Sequence, residues 1–259
     1  MSGTWIRRLR PSGPGTAQVL SFPYAGGAAN GYSGLAHALS PDVEVFAVQY
    51  PGRQDRIREA PAQDFQQIIE HVLEELPSHC DPGKPLALFG HSMGALLAFE
   101  TGRCLQQTQT PFTPVHLFLS GRASPSLGRR PSDFLRSDAT LVAELRRLGG
   151  ADPQVLNDPE MLELIMPSIR ADYRLLMQYI WDQGTLRDCP FTVLVGEEDP
   201  VVMVGEADQW RALTSGVTRT VPFSGGHFFL NQQAEQVAQV ILSALSALWQ
   251  TGSCSSGSG

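Results

Sequence analysis

The chain has 259 residues, of which 42% are hydrophobic and 17% charged, a balance typical of a globular α/β domain with a substantial core. Its formal net charge of −7 argues against non-specific binding to nucleic acid, because such binding needs a basic surface for the phosphates. The first residues carry charges without the apolar segment of a secretory signal, and no apolar run is long enough to cross a membrane.

Six short apolar runs, each bounded by Gly, Pro or polar residues, are typical of buried β-strands. In chain order they lie at 17–22, 43–50, 85–90, 115–121, 191–196 and 218–223. Helical patterns separate them at about 31–39, 64–78, 94–107, 204–213 and 231–249. This alternation predicts an α/β fold with a mostly parallel sheet that is covered by helices on both faces. We expect one domain over residues 1–251 and a flexible tail at 252–259.

The alternation breaks between about 132 and 183, where only helical pattern is present. Ser137 or Asp138 can cap a first helix, and Asp158 followed by Pro159 predicts the start of a second. Pro167 is expected to kink or divide the second helix. The apolar residues of that helix follow helical spacing and predict one apolar face: Leu162, Ile165, Met166, Ile169, Tyr173, Leu176, Met177 and Ile180. The segment is interpreted either as extra helices packed on the sheet or as a lid over an apolar substrate channel, and its position between core strands favours the lid.

Cysteine usage and ligand spacing suggest a cytoplasmic protein without a metal. Cys80, Cys104, Cys189 and Cys254 form no C-x-x-C pair, which favours reduced thiols. No H-E-x-x-H or comparable spacing of metal ligands occurs.

The sequence FGHSMGALL places Ser92 where an apolar strand gives way to a helical pattern. Side chains two positions before and after the serine would collide in so tight a turn, and Gly90 and Gly94 occupy those positions. The G-x-S-x-G pattern is weak by itself, but between a strand and a helix it indicates a nucleophile elbow that exposes the serine hydroxyl above the sheet. The competing interpretation is a structural serine that caps the helix.

A serine nucleophile needs a base, and the base needs an acid that orients it. Asp199 and His227 each follow a predicted strand, so both reach the same carboxyl edge of the sheet as Ser92. His227 is favoured among the six histidines because it alone lies on a late loop, next to two glycines. Glu197 and Glu198 adjoin Asp199, which is favoured because it lies three residues beyond the strand's final glycine.

Acyl transfer also needs two backbone N–H donors for the oxyanion. Met93, directly after the serine, is expected to provide one donor. The glycine-rich loop after the first predicted strand is expected to provide the other. Pro23 has no N–H, so Tyr24 or Ala25 must donate.

Five motifs in order resemble the type II thioesterases of polyketide and nonribosomal peptide synthases, over roughly residues 17–248. They are FPYAGGAANGYSGLA, VQYPGRQDR, FGHSMGALLAFE, VGEEDP and SGGHFFL. The resemblance implies an α/β-hydrolase fold, with Ser92 as nucleophile, His227 as base and Asp199 as the orienting acid. It also implies that Ala25 and Met93 donate to the oxyanion.

What the resemblance implies for function is hydrolysis of acyl groups from the phosphopantetheine thiol of acyl or peptidyl carrier proteins, which removes aberrant or stalled intermediates. Such an enzyme needs no metal or cofactor of its own, and we expect a free-standing monomer with carrier proteins as partners. Lid residues Met166, Tyr173 and Met177 are candidates for setting the acyl chain preference. The arginine clusters at 7–10, 53–58 and 122–130 are candidate docking patches, since carrier proteins are generally acidic.

Three other functions stay open. A general carboxylesterase or lipase would use the same three residues, although such enzymes often carry an HGGG-type loop where this chain has PYAGG. Acyl transfer to an alcohol or amine would use the same machinery. A non-catalytic acyl-binding module would keep the fold without turnover.

Overall fold

The computed structural model describes residues 4–10, 16–39, 41, 43–128 and 137–252. Seven strands form one sheet in the order β1-β3-β2-β4-β5-β6-β7, and all neighbouring pairs are parallel except β1 with β3. The strands are β1 (Ile6–Arg8), β2 (Ala17–Phe22), β3 (Val43–Val48), β4 (Leu86–His91), β5 (Pro114–Ser120), β6 (Phe191–Gly196) and β7 (Thr218–Phe223). The predicted mostly parallel sheet is therefore confirmed.

The central strands are buried on both faces, as their mostly apolar sequences predict. Every residue of β2, β3, β4 and β6 is buried, because helices cover the sheet on each side. The antiparallel edge strand β1 was not predicted. It has three residues, two of them arginines, and the composition IRR has no strand signal of its own.

Nine α-helices follow or separate the strands within the described residues. They are α1 (Ser33–Ala38), α2 (Phe65–His79), α3 (Met93–Gln107), α4 (Asp138–Leu148), α5 (Pro153–Asn157), α6 (Pro159–Gln178), α7 (Val204–Ala207), α8 (Phe229–Gln232) and α9 (Ala234–Gly252). Apolar residues of α2 and α3 form the core on one face of the sheet, and those of α1 and α9 form the core on the other. No described helix is both long and apolar enough to cross a membrane.

Two predicted helices are each divided into two helices in the structure. The helix predicted at 204–213 consists of the short α7 followed by a 3-10 helix at Asp208–Leu213. The helix predicted at 231–249 is divided into α8 and α9. Residues 253–259 of the predicted tail lie outside the described residues.

Helices α4, α5 and α6 lie between β5 and β6, in the segment where no strand was predicted; its first residues, 132–136, lie outside the described part. Ser137 caps α4 in a capping box with Thr140, and Asp158 caps α6 by accepting from the N–H groups of Glu160 and Met161. The short α5 was not predicted. We call α4–α6 the lid helices.

Pro167 does not divide α6, which continues through it from Pro159 to Gln178. The turn at the proline keeps local hydrogen bonding, since Ser168 Oγ donates to Ile165 O at 2.8 Å. Met166 and Ile169, on either side of the proline, pack in one cluster with residues of α4 and α5. This common packing surface explains why the helix continues despite the lost backbone donor.

Candidate functional site

Ser92 occupies a strained turn between β4 and α3. Its backbone has φ 54° and ψ −115°, a conformation that a residue with a side chain rarely adopts. A Cβ at Gly90 would lie 2.0 Å from Gly94 O, and one at Gly94 would lie 1.8 Å from Phe22 O. The two glycines are therefore required by the close approach of backbone to backbone. Ser92 is partly exposed, and its N–H donates to Ser120 O of β5 at 2.8 Å.

His227 and Asp199 meet at the carboxyl ends of β7 and β6. His227 Nδ1 lies 2.8 Å from Asp199 Oδ2, and both side chains are buried. The other carboxylate oxygen of Asp199 accepts from the N–H groups of Val201 at 2.8 Å and Val202 at 3.4 Å. A carboxylate oxygen accepts only, so Nδ1 carries the proton and Nε2 is the nitrogen with a free lone pair.

The two glutamates beside Asp199 do not share its position. Glu197 and Glu198 are exposed, and their backbone N–H groups donate to Phe223 O at 2.8 Å and Gly225 O at 3.0 Å respectively. Of the three adjacent acids, Asp199 is the one that contacts the imidazole.

Residues Tyr24–Gly27 form a tight turn after β2. Gly27 N–H donates to Tyr24 O at 2.8 Å, and Gly26 has φ +78°, the positive value that the third position of a type II turn requires. Among the described residues, neither the N–H of Ala25 nor that of Met93, the first residue of α3, has a hydrogen-bond acceptor. Two backbone donors without partners are what an oxyanion site needs.

His91 directly precedes Ser92 in the elbow. It is fully buried, its Nδ1 lies 2.9 Å from Ser120 Oγ, and its ring centroid lies 4.9 Å from that of His227. Burial, and secondarily the nearby His227, holds the pKa of His91 well below its usual value. His91 is therefore neutral and adds no positive charge beside the imidazole of His227.

Aromatic side chains surround these groups. The ring of Phe228 lies 4.7 Å from Tyr24, 5.1 Å from His227 and 5.2 Å from His91, between centroids. A Cβ at Gly150, in the segment after α4, would lie 2.0 Å from the Phe228 ring. The segment between α4 and α5 therefore contacts the aromatic cluster next to His227.

Two of the three lid residues named from sequence are buried, and the third is not. Met166 and Tyr173 pack with Leu141 and other apolar residues of α4 and α5, and Ala25 is packed against the same cluster. Met177 is 41% exposed and Ile180 is 73% exposed, so the predicted inward apolar face does not include them. The last turn of α6, which ends at Gln178, packs through Leu175 and Leu176 instead, so Met177 faces outward and Ile180 lies beyond the helix end.

The fold also contains buried charged residues that sequence reasoning missed. Arg53 and Arg56, predicted within a surface cluster, are buried and bind Asp172 and Glu59 respectively. Arg103 joins Glu100 on α3 to Asp182 after α6. Asp172 had one signal in the sequence: it shares the helical face of Ile169, Tyr173 and Leu176, where a charge is unexpected.

Comparisons with known proteins agree on the family. The thioesterase domain family matches residues 17–245. The thioesterase PikA5 of Streptomyces venezuelae is 38% identical over 93% of this chain and 85% of its own length. The structure of BorB, a type II thioesterase from the borrelidin biosynthetic cluster, is 39% identical with a TM-score of 0.85, covering 95% of this chain and 99% of BorB.

A third relative is YbtT, a type II thioesterase from the yersiniabactin nonribosomal peptide and polyketide pathway. It is 32% identical with a TM-score of 0.83, and the match covers 93% of this chain and 97% of YbtT. The chain therefore belongs to the thioesterase family, as a hydrolase of α/β-hydrolase fold that groups with the type II thioesterases of polyketide and nonribosomal peptide pathways.

Proposed function

We propose that the chain hydrolyses acyl groups from the phosphopantetheine thiol of acyl or peptidyl carrier proteins, with Ser92 as nucleophile, His227 as base and Asp199 as its orienting acid. The observation that carries the proposal is the buried 2.8 Å contact between His227 and Asp199 at the sheet edge where Ser92 occupies the strained turn. Such hydrolysis removes aberrant or stalled intermediates from the carrier proteins.

In the first half of the reaction, the Ser92 hydroxyl attacks the thioester carbonyl and His227 Nε2 takes the hydroxyl proton. Negative charge develops on the carbonyl oxygen, which the N–H groups of Ala25 and Met93 stabilise. The carbon–sulfur bond then breaks, and His227 returns the proton to the departing thiolate. The products of this half are a free phosphopantetheine thiol and an acyl ester on Ser92.

In the second half, His227 takes a proton from water, and the resulting hydroxide oxygen adds to the acyl carbon. The same two N–H groups stabilise the second oxyanion. Collapse breaks the bond to Ser92, which receives the proton from His227, and the carboxylic acid leaves. The cycle needs only the groups of this chain, since a thioester is already activated toward attack.

The lid helices bring apolar side chains close to the catalytic groups. Their apolar cluster packs against Ala25, and the segment after α4 contacts Phe228 beside His227. We infer that the acyl chain lies against Met166 and Tyr173. The exposed Met177 is a weaker candidate for such a contact because 41% of its surface faces solvent.

The proposal is tested by acyl release from a loaded carrier protein. Wild type is compared with Ser92→Ala and with Ser243→Ala, a control at an exposed serine on α9. An acyl thioester of a small thiol and a simple oxygen ester are measured in parallel. We expect Ser92-dependent release that is faster from both thioesters than from the oxygen ester, and full activity in Ser243→Ala.

Other outcomes contradict the proposal. Release from the oxygen ester alone indicates a general esterase, and the absence of release from any substrate indicates a binding module. Adding a primary alcohol or amine separates hydrolysis from acyl transfer. If most of the acyl group is transferred to the added alcohol or amine even when that compound is present at low concentration, the protein is a transferase.

A further inference from the structure

Asp172 and Arg53 form a buried ion pair between α6 and the loop that follows β3. Arg53 Nη1 donates to Asp172 Oδ2 at 2.7 Å, and Arg53 Nη2 donates to Asp172 Oδ1 at 2.8 Å. Asp172 is 2% exposed and Arg53 is 5% exposed. The pair therefore joins a lid helix to the sheet through two parallel hydrogen bonds, a geometry that fixes direction as well as distance.

Both partners also bind the turn Tyr24–Gly27. Asp172 Oδ2 accepts from Gly26 N–H at 2.7 Å, and Arg53 Nη1 donates to Gly27 O at 3.0 Å. A Cβ at Gly26 would lie 3.0 Å from the Ile169 side chain, so α6 lies directly against the turn. One carboxylate oxygen thus connects the lid helix, the arginine and the turn.

Core side chains hold the backbone on both sides of this turn. Tyr32 and Tyr50 donate their hydroxyl protons to Phe22 O at 2.6 Å and Pro23 O at 3.1 Å. Gln49 Oε1 accepts from Ala29 N–H at 2.9 Å. The flanks of the loop are therefore fixed without the lid helices, and the Gly26 N–H and Gly27 C=O are the groups whose partners come from the ion pair.

The bonds around Ala25 determine where its N–H points. That N–H belongs to the same peptide group as Tyr24 O, which is directed into the turn by its bond from Gly27 N–H. In a trans peptide the N–H points opposite to the carbonyl, so the Ala25 N–H points away from the turn. The next peptide group is held by Asp172 through Gly26. Loss of that bond allows the two linked peptide groups to rotate together.

The energetic cost of burying the ion pair indicates that it positions the turn and does not serve only to attach α6. Moving two charges from water into the protein interior carries a large desolvation cost, and apolar side chains of similar volume often stabilise a fold as well or better. Burial would lower the pKa of Arg53, but the contact with Asp172 outweighs it and raises that pKa, so the guanidinium stays charged. A charged clamp gives directional bonds to the turn, which apolar packing would not.

We propose that Asp172 and Arg53 are positioning residues, which hold the Tyr24–Gly27 turn so that the Ala25 N–H faces the oxyanion. The oxyanion site is then complete only when α6 is seated on the turn, which links closure of the lid to catalytic competence. This inference rests on the proposed function, because it takes the Ala25 N–H as an oxyanion donor.

The test uses two variants and one control. Asp172→Asn removes the negative charge and one of the two hydrogen bonds with Arg53. Arg53→Met/Asp172→Leu replaces both partners with apolar side chains, so that no unpaired charge stays buried. Asp182→Asn is the matched control, since Asp182 binds Arg103 between the lid region and α3 without contacting the turn. Thermal unfolding of each protein shows that it is folded at the assay temperature.

The kinetic constants kcat and KM are measured with a small acyl thioester. Binding affinity is measured separately for two analogues. A trifluoromethyl ketone forms a tetrahedral adduct with Ser92 and places an oxyanion in the site, whereas a thioether without the carbonyl reports ground-state binding only. Removal of one oxyanion donor costs about 10²–10³ in kcat, and we expect misdirection of the donor to cost about 10- to 100-fold. Trifluoromethyl ketone affinity should fall by a similar factor, with KM and thioether affinity changed less than about threefold.

Both variants should show this pattern, and Asp182→Asn should not. The inference is overturned if kcat is retained in the folded double variant, or if thioether affinity falls as much as trifluoromethyl ketone affinity. A wild-type protein without Ser92-dependent thioester hydrolysis would instead overturn the proposed function itself. The two failures are therefore distinguishable.

Discussion

At the scale of single residues, Ser92 is held in a conformation that favours its chemistry over stability. Its φ of 54° is accessible to glycine at little cost but strained for any residue with a Cβ. The strain is sustained by the surrounding backbone, since the flanking glycines lie against Gly94 O and Phe22 O and the Ser92 N–H is bonded to Ser120 O. Such strain is common at nucleophile elbows, where it exposes the reacting hydroxyl.

We therefore predict that Ser92→Gly is more stable than Ser92→Ala by about 1 kcal/mol, although neither variant hydrolyses thioesters. Both lack the hydroxyl, so the comparison measures the cost of the Cβ at positive φ, reduced by the greater backbone entropy of glycine in the unfolded chain. The free energy of unfolding in urea measures this difference. Equal stabilities of the two variants would mean that the turn is not strained in solution.

Two buried histidines stay neutral in the fold. His91 contacts Ser120, and His116 Nε2 lies 2.8 Å from Thr192 Oγ1, with its ring stacked on Phe118. Burial lowers the pKa of His116 from 6.5 to about 4. Because the folded-state pKa lies below the unfolded value, protonation favours the unfolded chain. The stability that neutral His116 contributes is complete above pH 6.5 and is lost as the pH falls toward about 4.

From this shift we predict that wild type loses about 1–2 kcal/mol more stability between pH 7 and pH 5 than His116→Gln does. His91 contributes with the same sign in both proteins, so the comparison isolates His116. Urea unfolding at the two pH values measures the loss, with His37→Gln on the exposed surface of α1 as the control. A loss in His116→Gln as large as in wild type would contradict the prediction.

At the scale of elements, apolar runs and cap residues predicted most of the fold because their signals are local. The strands β2–β7 fall on the six runs that predict strands, and Ser137 and Asp158 cap the helices that they were expected to begin. The strand β1 has no local signal, since it is formed by pairing with β3 at the sheet edge. The inward face of α6 was extended too far, to Met177 and Ile180, because helical spacing alone does not show where packing ends.

The apolar cluster of the lid helices yields a prediction about acyl chain length. Met166 is 4% exposed and lies in the cluster that packs against Ala25, whereas Met161 on the same helix is 39% exposed. Shortening Met166 to alanine should therefore enlarge the space for the acyl chain. One methylene in an apolar pocket changes discrimination by about 10- to 200-fold.

We accordingly predict that Met166→Ala raises the ratio of kcat/KM for long over short acyl thioesters by at least about tenfold. The ratio cancels any general loss from destabilisation. Kinetic measurement over a series of chain lengths tests it, and Met161→Ala serves as the matched control with an unchanged ratio. An unchanged ratio in Met166→Ala would show that this part of the lid does not contact the acyl chain.

At the scale of the whole molecule, the topology brings distant residues to one edge of the sheet. Ser92 follows β4, Asp199 follows β6 and His227 follows β7, and the parallel arrangement places all three ends together. This placement was predictable from the sequence, because it requires only that each residue directly follow a strand of a parallel sheet. The pairing of Arg53 with Asp172 was not, because the partners are 119 residues apart and no spacing rule relates a loop after β3 to the lid helix.

The measurement that tests the central claim most directly is the location of the acyl group during turnover. Wild-type protein is mixed with an acyl thioester, quenched with acid within milliseconds to seconds, digested and analysed by mass spectrometry, with Ser92→Ala treated in the same way. The account predicts an acyl ester on the peptide that contains Ser92, and neither adduct nor hydrolysis in Ser92→Ala. An acyl group on any other residue, or hydrolysis that persists in Ser92→Ala, would contradict it.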